Sequence, residues 1–374
     1  EDISQSLLFY SEHTFGASES ITDPLCENSY RQWMEKSSFV YEASKKNKLY
    51  QEQAMGILQS IVPKQNKPGI IVFNPSPQER ISVFEIYIDH EILPPNKPVE
   101  FISSQGEKAK GQIISSRTDG SHWRIISTKL PAFGYETYQI KIDSSGKKEE
   151  YNKLEHYQNL TNQFYEISIN EYGEITLLYD KELKKQLIDT LSERKLGSWV
   201  YETLGNRAQM ERYTLTDYQR KKLENIHFEW ARKYPLWTAV KFSGTNKTAV
   251  GDEKVEWTIK LNQEKKEIAI EYKIKKIRNQ EPEAIYIAFP FSLPEGKFFY
   301  QGRGGIIEAG KGQIPGSSMD WQTVQNYLTI RNSDAQIIVS CPEIPLVQFG
   351  EINTGKFQYE TEYKNTHFYS WIMN

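Results

Sequence analysis

The chain has 374 residues, which is too many for one ordinary hydrophobic core, so we expect two or three domains. Its 49 acidic and 46 basic residues nearly balance, and the net charge of -3 gives no electrostatic argument for a nucleic-acid partner or an anionic membrane. No apolar run approaches the ~20 residues that cross a bilayer, so we expect neither a nucleic-acid partner nor a membrane.

The two cysteines, Cys26 and Cys341, lie far apart in the sequence, and neither belongs to a Cys-x-x-Cys pair. We therefore expect free thiols rather than a structural zinc site, with a disulfide as the open alternative. The chain starts without Met and shows no signal peptide. We therefore expect that its first residue results either from processing of a longer chain or from the choice of the segment that was expressed. We expect a periplasmic or secreted protein.

The first motif is an apolar run from Leu7 to Tyr10, which leads directly into Glu12 and His13 and then into a Gly-Ala turn. A buried run that delivers a carboxylate and an imidazole to a turn is a common way to present active-site residues. The residue types alone leave a second interpretation open, in which His13 is an ordinary core or surface histidine.

The segment Glu-His-Thr-Phe-Gly-Ala at residues 12–17 resembles the glycoside hydrolases of family 38, the retaining α-mannosidases. In many bacterial members such a segment closes the catalytic zinc site, and its histidine is a zinc ligand. The resemblance therefore implies that His13 binds zinc and that Glu12 lies near the substrate.

A long helix is predicted from about Cys26 to Val62, because this stretch contains no proline and its apolar residues recur at helical spacing. Asp23 followed by Pro24 is a helix-start signal. About 36 residues at ~1.5 Å each make a rod of ~54 Å, which cannot bury its apolar face alone. The helix either packs along a sheet or has partners outside this chain. The resemblance implies a small bundle behind a catalytic domain.

Beyond a proline-containing linker, hydrophobic residues recur every 2 residues instead of every 3.6 residues, which indicates strands. The segments Val72–Pro75 and Leu130–Tyr135 resemble the first β-domain of the family's C-terminal half. We therefore expect a helical domain at residues 1–66 and a small antiparallel β-sandwich at residues 67–145. Its strands are predicted at residues 70–73, 81–88, 99–103, 109–116, 123–128 and 135–142.

The third predicted domain, residues 146–374, begins in a polar stretch. Its opening hairpin resembles the start of the large β-sandwich of these mannosidases, and residues 318–326 and 345–355 resemble the bacterial branch of the family. The implied fold is mainly β, with an N-terminal long helix, a small antiparallel β-sandwich and a large galactose-mutarotase-like β-supersandwich. Strands of the third domain are predicted within residues 162–179 and at residues 224–234, 237–243, 254–261, 267–277 and 284–291.

Two loops of the third domain carry candidate substrate-binding residues. The stretch Gly302-Arg303-Gly304-Gly305 opens no helix and is followed by no Lys-Ser/Thr, so we do not read it as a phosphate loop. It is either a plain hairpin turn or a turn that brings Arg303 to a ligand. Trp321 can stack on a sugar face, and Asp320 and Arg303 can hydrogen-bond sugar hydroxyls. Core packing is the alternative for Trp321.

Retaining glycoside hydrolysis needs a nucleophile and an acid/base carboxylate about 5 Å apart. In the family both are Asp residues of an N-terminal α/β domain, which also supplies a His-x-Asp pair and a further Asp to the zinc. His-x-Asp does not occur in this chain, and a catalytic zinc needs three protein ligands. The resemblance therefore implies the C-terminal part of a zinc-dependent retaining α-mannosidase that acts on α-mannoside glycans. We expect the chain to be inactive alone, to lack the N-terminal catalytic domain and to continue past both of its ends.

A second hypothesis is a non-catalytic carbohydrate-binding or scaffolding β-sandwich protein that is complete as it stands. A third, a sandwich from a polysaccharide lyase or a sugar epimerase, needs His/Tyr/Arg or His/Glu pairs that the sequence does not reveal. The unpaired long helix and the apolar strand at residues 368–374, which no turn or tail follows, favour the first hypothesis over the second.

Overall fold

The computed structural model describes residues 2–11, 19–20, 23–146, 152–205, 208, 215–354 and 363–373. They form mostly antiparallel β-sheets after N-terminal helices, so the predicted mainly β fold with a long N-terminal helix is confirmed. The chain divides into two compact units, Glu1–Glu149 and Glu150–Asn374. The finer predicted division into residues 1–66, 67–145 and 146–374 stays a prediction. Within the described residues we find no helix with the length and hydrophobicity that a membrane crossing demands.

Two helices begin the first unit, α1 (Asp2–Tyr10) and α2 (Glu27–Ile61). The sulfur of Cys26 caps α2 by accepting a hydrogen bond from the Ser29 backbone N–H at 3.4 Å. The helix therefore begins three residues later than the Asp23-Pro24 signal predicts. Its 35 residues make a rod of ~52 Å.

Helix α1 lies against α2, and the ring centroids of Phe9 and Phe39 are 5.4 Å apart. The prediction of a buried run at residues 7–10 is wrong, because Leu8 is 72% exposed and no residue of α1 is buried. Each helix covers only one narrow stripe of the other, which leaves most of their apolar side chains at the surface.

Six antiparallel strands complete the first unit, and all six predicted strands are found within a few residues of their predicted bounds. Phe101, Trp123 and Tyr138 are almost fully buried in the core of these strands. The strands are β1 (Gly69–Phe73), β2 (Val83–Asp89), β3 (Val99–Ser103), β4 (Lys108–Ser116), β5 (Gly120–Ile126) and β6 (Tyr135–Ile142), in the sheet order β1-β6-β3-β4-β5-β2.

The two motifs of this unit that carried the family resemblance meet at Asn74. The Asn74 side-chain amide donates to the backbone oxygens of Gln78 and Pro131, both at 2.8 Å, and its oxygen accepts from the Ser76 N–H at 3.1 Å. In the second motif Phe133, and not the neighbouring Gly134, adopts the left-handed conformation, with a φ of 47°. Asn74 is 3% exposed, so its hydrogen bonds satisfy a buried side-chain amide.

The second unit contains four antiparallel sheets and a one-turn helix, α3 (Lys247–Val250), among its described residues. The sheet orders are β11-β10-β9-β8, β13-β12-β18-β25-β24-β21, β17-β16-β15-β14-β7 and β20-β19-β22-β23. The strands are β7 (Asn152–Lys153), β8 (Asn159–Thr161), β9 (Tyr165–Ile169), β10 (Ile175–Asp180), β11 (Lys185–Gln186), β12 (Trp199–Leu204), β13 (Tyr218–Lys221), β14 (Glu224–Lys233), β15 (Trp237–Thr245), β16 (Val255–Asn262), β17 (Ile268–Lys273), β18 (Glu283–Phe291), β19 (Lys297–Gly302), β20 (Gly305–Glu308), β21 (Gln322–Thr323), β22 (Tyr327–Arg331), β23 (Gln336–Ser340), β24 (Leu346–Phe349) and β25 (Thr366–Met373).

Strand β12 separates two environments, because successive side chains of a strand point to opposite faces. Trp199 and Tyr201 belong to the main hydrophobic core of the unit. Val200 belongs to a separate cluster on the other face, and Glu202 follows it two residues later. The candidate site described next lies on the face of Val200 and Glu202.

Candidate functional site

Three aromatic side chains form a stack on this face of the sheet. Tyr286 of β18 and Trp371 of β25 are paired across the two strands. The Trp321 ring lies beside both, 6.1 Å from the Tyr286 centroid at an interplanar angle of 11° and 4.1 Å from the Trp371 centroid at 31°. Trp321 is half-buried, so part of its ring remains available to a ligand. Within the described residues, the buried Trp371 indole N–H has no hydrogen-bond partner.

The carboxylate of Asp320 holds the loop that carries Trp321. One oxygen accepts from the Ser318 hydroxyl at 2.9 Å, and the other accepts from the Asn353 side-chain amide at 2.5 Å. Asp320 is only 8% exposed. The hydrogen bonds connect the loop before β21 to the loop after β24, so Asp320 fixes the position of the neighbouring indole.

A buried ion pair lies on the same face. The Arg220 Nε donates to Glu202 at 2.7 Å, and the Thr354 hydroxyl donates to the same carboxylate oxygen at 2.7 Å. Arg220 also donates to the Thr354 hydroxyl at 2.9 Å and to the Ile352 carbonyl at 3.2 Å. Burial raises the pKa of the Tyr286 phenol, and the neighbouring negative charge of Glu202 raises it further. Tyr286 therefore stays protonated and can donate a hydrogen bond.

Arg303 lies at the tip of the hairpin between β19 and β20. Gly304 supplies the left-handed residue of this turn with a φ of 83°, and the Arg303 side chain is exposed. The hairpin is connected to the Trp321 loop through Tyr300, whose hydroxyl donates to the Gln322 side chain at 2.8 Å. The sequence correctly suggested a glycine turn at this point.

The predicted zinc ligand His13 and its neighbour Glu12 lie outside the described residues. Their roles stay predictions. In the part of the chain that the structure describes, no group of three or more His, Cys, Asp or Glu side chains is placed to hold a metal ion. The described residues therefore do not supply the ligand set of a catalytic zinc.

Sequence reasoning missed Glu202 and Arg220. The single local signal is a charged residue in the otherwise largely apolar run of β12. Its partners cannot be read from spacing, because Arg220 is 18 positions away in sequence and Thr354 is 152 positions away.

Comparison with known proteins adds family information to this geometry. Residues 160–338 match the family model described as "Glycosyl hydrolases family 38 C-terminal domain". The fold is similar to a solved alpha-mannosidase from Enterococcus faecalis V583, with a TM-score of 0.59 and 13% identity over 92% of this chain and 47% of that chain. It is also similar to a solved protein in glycosyl hydrolase family 38 from Enterococcus faecalis, with a TM-score of 0.60 and 13% identity over 100% of this chain and 48% of that chain. This chain thus spans about half the length of both. Comparison with curated proteins gave no match.

Proposed function

We propose that this chain is the C-terminal part of a zinc-dependent retaining α-mannosidase of glycosyl hydrolase family 38. The family match over residues 160–338 is the observation that carries the proposal. It is supported by the likeness of the whole chain to about half of a solved alpha-mannosidase. The substrate class is α-mannoside glycans.

The chemistry of the proposed enzyme requires parts from outside this chain. A retaining glycosidase uses two carboxylates about 5 Å apart, one as nucleophile and one as acid and base. We place both in a preceding catalytic domain, so this chain alone has no hydrolytic activity. His13 contributes one zinc ligand, and the remaining ligands come from that domain. When bound, the zinc acts as a Lewis acid towards substrate oxygens.

The role of the second unit in this proposal is to contact sugar through its aromatic stack. The face of Trp321 packs on the apolar face of a pyranose ring. Asp320 holds that indole in place through its hydrogen bonds with Ser318 and Asn353. Arg303 at its exposed hairpin tip donates further hydrogen bonds to the glycan.

The test uses the protein that the native gene encodes. We expect an intact mass far above 43.6 kDa, about one bound zinc per molecule, and hydrolysis of p-nitrophenyl α-D-mannopyranoside with retention at the anomeric carbon. His13→Ala should lose both zinc and activity. His156→Ala, which changes a histidine outside the motif, should keep both. The 374-residue chain alone should be inactive.

A native protein of 43.6 kDa without zinc would contradict the proposal. The aromatic stack around Trp321 would then favour the second candidate, a non-catalytic carbohydrate-binding or scaffolding β-sandwich. That candidate predicts glycan binding by the chain alone, and Trp321→Ala should weaken this binding.

A further inference from the structure

A cavity of about 290 Å³ lies in the second unit, between the core-facing side of β12 and the strands β16 and β17. Trp199, Trp257 and Tyr272 contribute aromatic walls, while Glu174 and Lys222 add one carboxylate and one ammonium group. Its volume is at the lower end of the roughly 300–1,000 Å³ that is usual for small-molecule sites. The cavity therefore suits a ligand of one ring rather than an extended molecule.

The aromatic walls are held in place by hydrogen bonds that do not involve a ligand. The Trp257 indole N–H donates to the Gly173 carbonyl at 3.0 Å, and the Tyr272 hydroxyl donates to the Gly197 carbonyl at 2.5 Å. The Trp257 and Tyr272 rings stack with centroids 5.9 Å apart at an angle of 17°. Such a preformed wall lowers the ordering cost of binding.

A hydrogen-bond acceptor and a hydrogen-bond donor line the cavity beside these rings. Glu174 is oriented by the Ser198 hydroxyl at 2.6 Å and by the Asn170 amide at 2.9 Å, and it keeps acceptor capacity for a ligand hydroxyl. Lys222 also lines the cavity, and because it is exposed it offers a hydrogen-bond donor to a ligand.

We propose that this cavity binds a single neutral pyranose ring, a monosaccharide or one residue of a glycan. A sugar ring has apolar faces for the aromatic walls and hydroxyls that both donate and accept, which matches the mixed set of groups. Glu174 and Lys222 carry opposite charges, so the cavity has no net charge that would favour an organic ion of either sign over a neutral ligand.

The proposed pyranose site does not depend on the proposed enzyme activity. Trp199 lies on the opposite face of β12 from Glu202 and the Trp321 stack. Binding here can therefore be tested in the 374-residue chain by itself, whether or not that chain belongs to a larger hydrolase.

The experiment is ligand-observed NMR titration of the chain with methyl α-D-mannopyranoside, methyl β-D-glucopyranoside and methyl β-D-galactopyranoside. Tetramethylammonium chloride and sodium acetate serve as charged probes. We expect saturable binding of at least one glycoside, with a Kd on the order of 1 mM for so small a ligand, and no binding of either charged probe.

Lys222→Ala should weaken glycoside binding about fivefold to tenfold, because it removes one charge-assisted hydrogen bond. Lys221→Ala is the matched control, since this neighbouring exposed lysine does not line the cavity and should leave the Kd unchanged. Ile226→Trp places a larger side chain in the cavity and should abolish binding. Thermal unfolding verifies that this variant is folded.

Three results would overturn the pyranose site. One is the absence of saturation by every glycoside up to about 100 mM, which is well above the expected Kd. Another is saturable binding of tetramethylammonium or acetate in place of the glycosides. The third is a combined result: a folded Ile226→Trp variant still binds the glycoside, and Lys222→Ala and Lys221→Ala change the Kd by the same factor.

Discussion

Replacing Arg220 with Met should destabilise the second unit strongly. The Glu202 side chain is 3% exposed and the Arg220 side chain 20% exposed, so this ion pair is largely removed from water. Removing one partner of a buried pair costs about 3–5 kcal/mol, because the remaining charge is left uncompensated. Arg220 is one-fifth exposed and the Thr354 hydroxyl still donates to Glu202, so we expect the lower limit, about 3 kcal/mol. For a unit of this size that corresponds to a fall in Tm of roughly 6–12 °C.

The assay is urea unfolding at neutral pH, followed by tryptophan fluorescence. Lys185→Met is the control, because the Lys185–Asp334 pair has a similar separation of 3.0 Å but side chains that are 42% and 62% exposed. An exposed pair contributes about 0–1 kcal/mol, so this variant should unfold close to the wild type. The comparison isolates burial as the cause of the larger effect.

The double variant Glu202→Gln/Arg220→Met provides the decisive comparison. Glutamine keeps an oxygen for the Thr354 hydroxyl but carries no charge, so the double variant should recover most of the stability that Arg220→Met loses. The reasoning is refuted if Arg220→Met costs no more than Lys185→Met. It is also refuted if the double variant is no more stable than Arg220→Met alone.

Three further predictions concern packing, a buried amide and pH. Gly173→Ala should cost about 3 kcal/mol of unfolding free energy, because φ is +68° and a Cβ would lie within 2.8 Å of two aromatic rings. Gly304→Ala is the comparison: its φ is +83° but the space around it is open, so it should cost only about 1 kcal/mol. Asn74→Ala should lower the free energy of unfolding of the first unit by about 2–3 kcal/mol in urea titration, since it removes three hydrogen bonds made by a buried amide, and a loss below about 0.5 kcal/mol would contradict this. The Lys241 ammonium lies 2.6 Å from the Glu256 carboxylate and lowers the pKa of that carboxyl. The pair therefore stabilises the fold at pH values above the unfolded pKa of about 4.3. This contribution is lost as the pH falls through the lower folded pKa. Lys241→Met should therefore cost up to about 1 kcal/mol near pH 7, and its difference from the wild type in urea should shrink as the pH falls from about 5 to 3. A difference that stays constant over this range would contradict the linkage.

The strands were largely predictable from local sequence. The predicted bounds of β3 and β6 agree with the structure, and Ile270 and Tyr272 of β17 alternate with the exposed Glu271 and Lys273 as a half-exposed strand requires. This worked because hydrophobic alternation reports directly which face of a strand is buried. Local signals worked less well at the helix start, where the sulfur of Cys26 takes the capping role that Asp23 was expected to have.

The sites depended on contacts between distant parts of the chain. Sequence singled out Asp320 and Trp321 by residue type, but their partners Asn353, Tyr286 and Trp371 are supplied by other loops and strands. These partners cannot be identified from the spacing of residues along the chain.

Sequence by itself determined a mainly β chain with a long N-terminal helix and its resemblance to family 38, because these follow from local periodicity and short motifs. Only the tertiary structure decided that Glu202 meets Arg220 on one face of β12 while Trp199 lines a cavity on the other. The physical reason is that alternation assigns a side chain to a face, whereas the pairing of strands far apart in sequence decides which groups share that face.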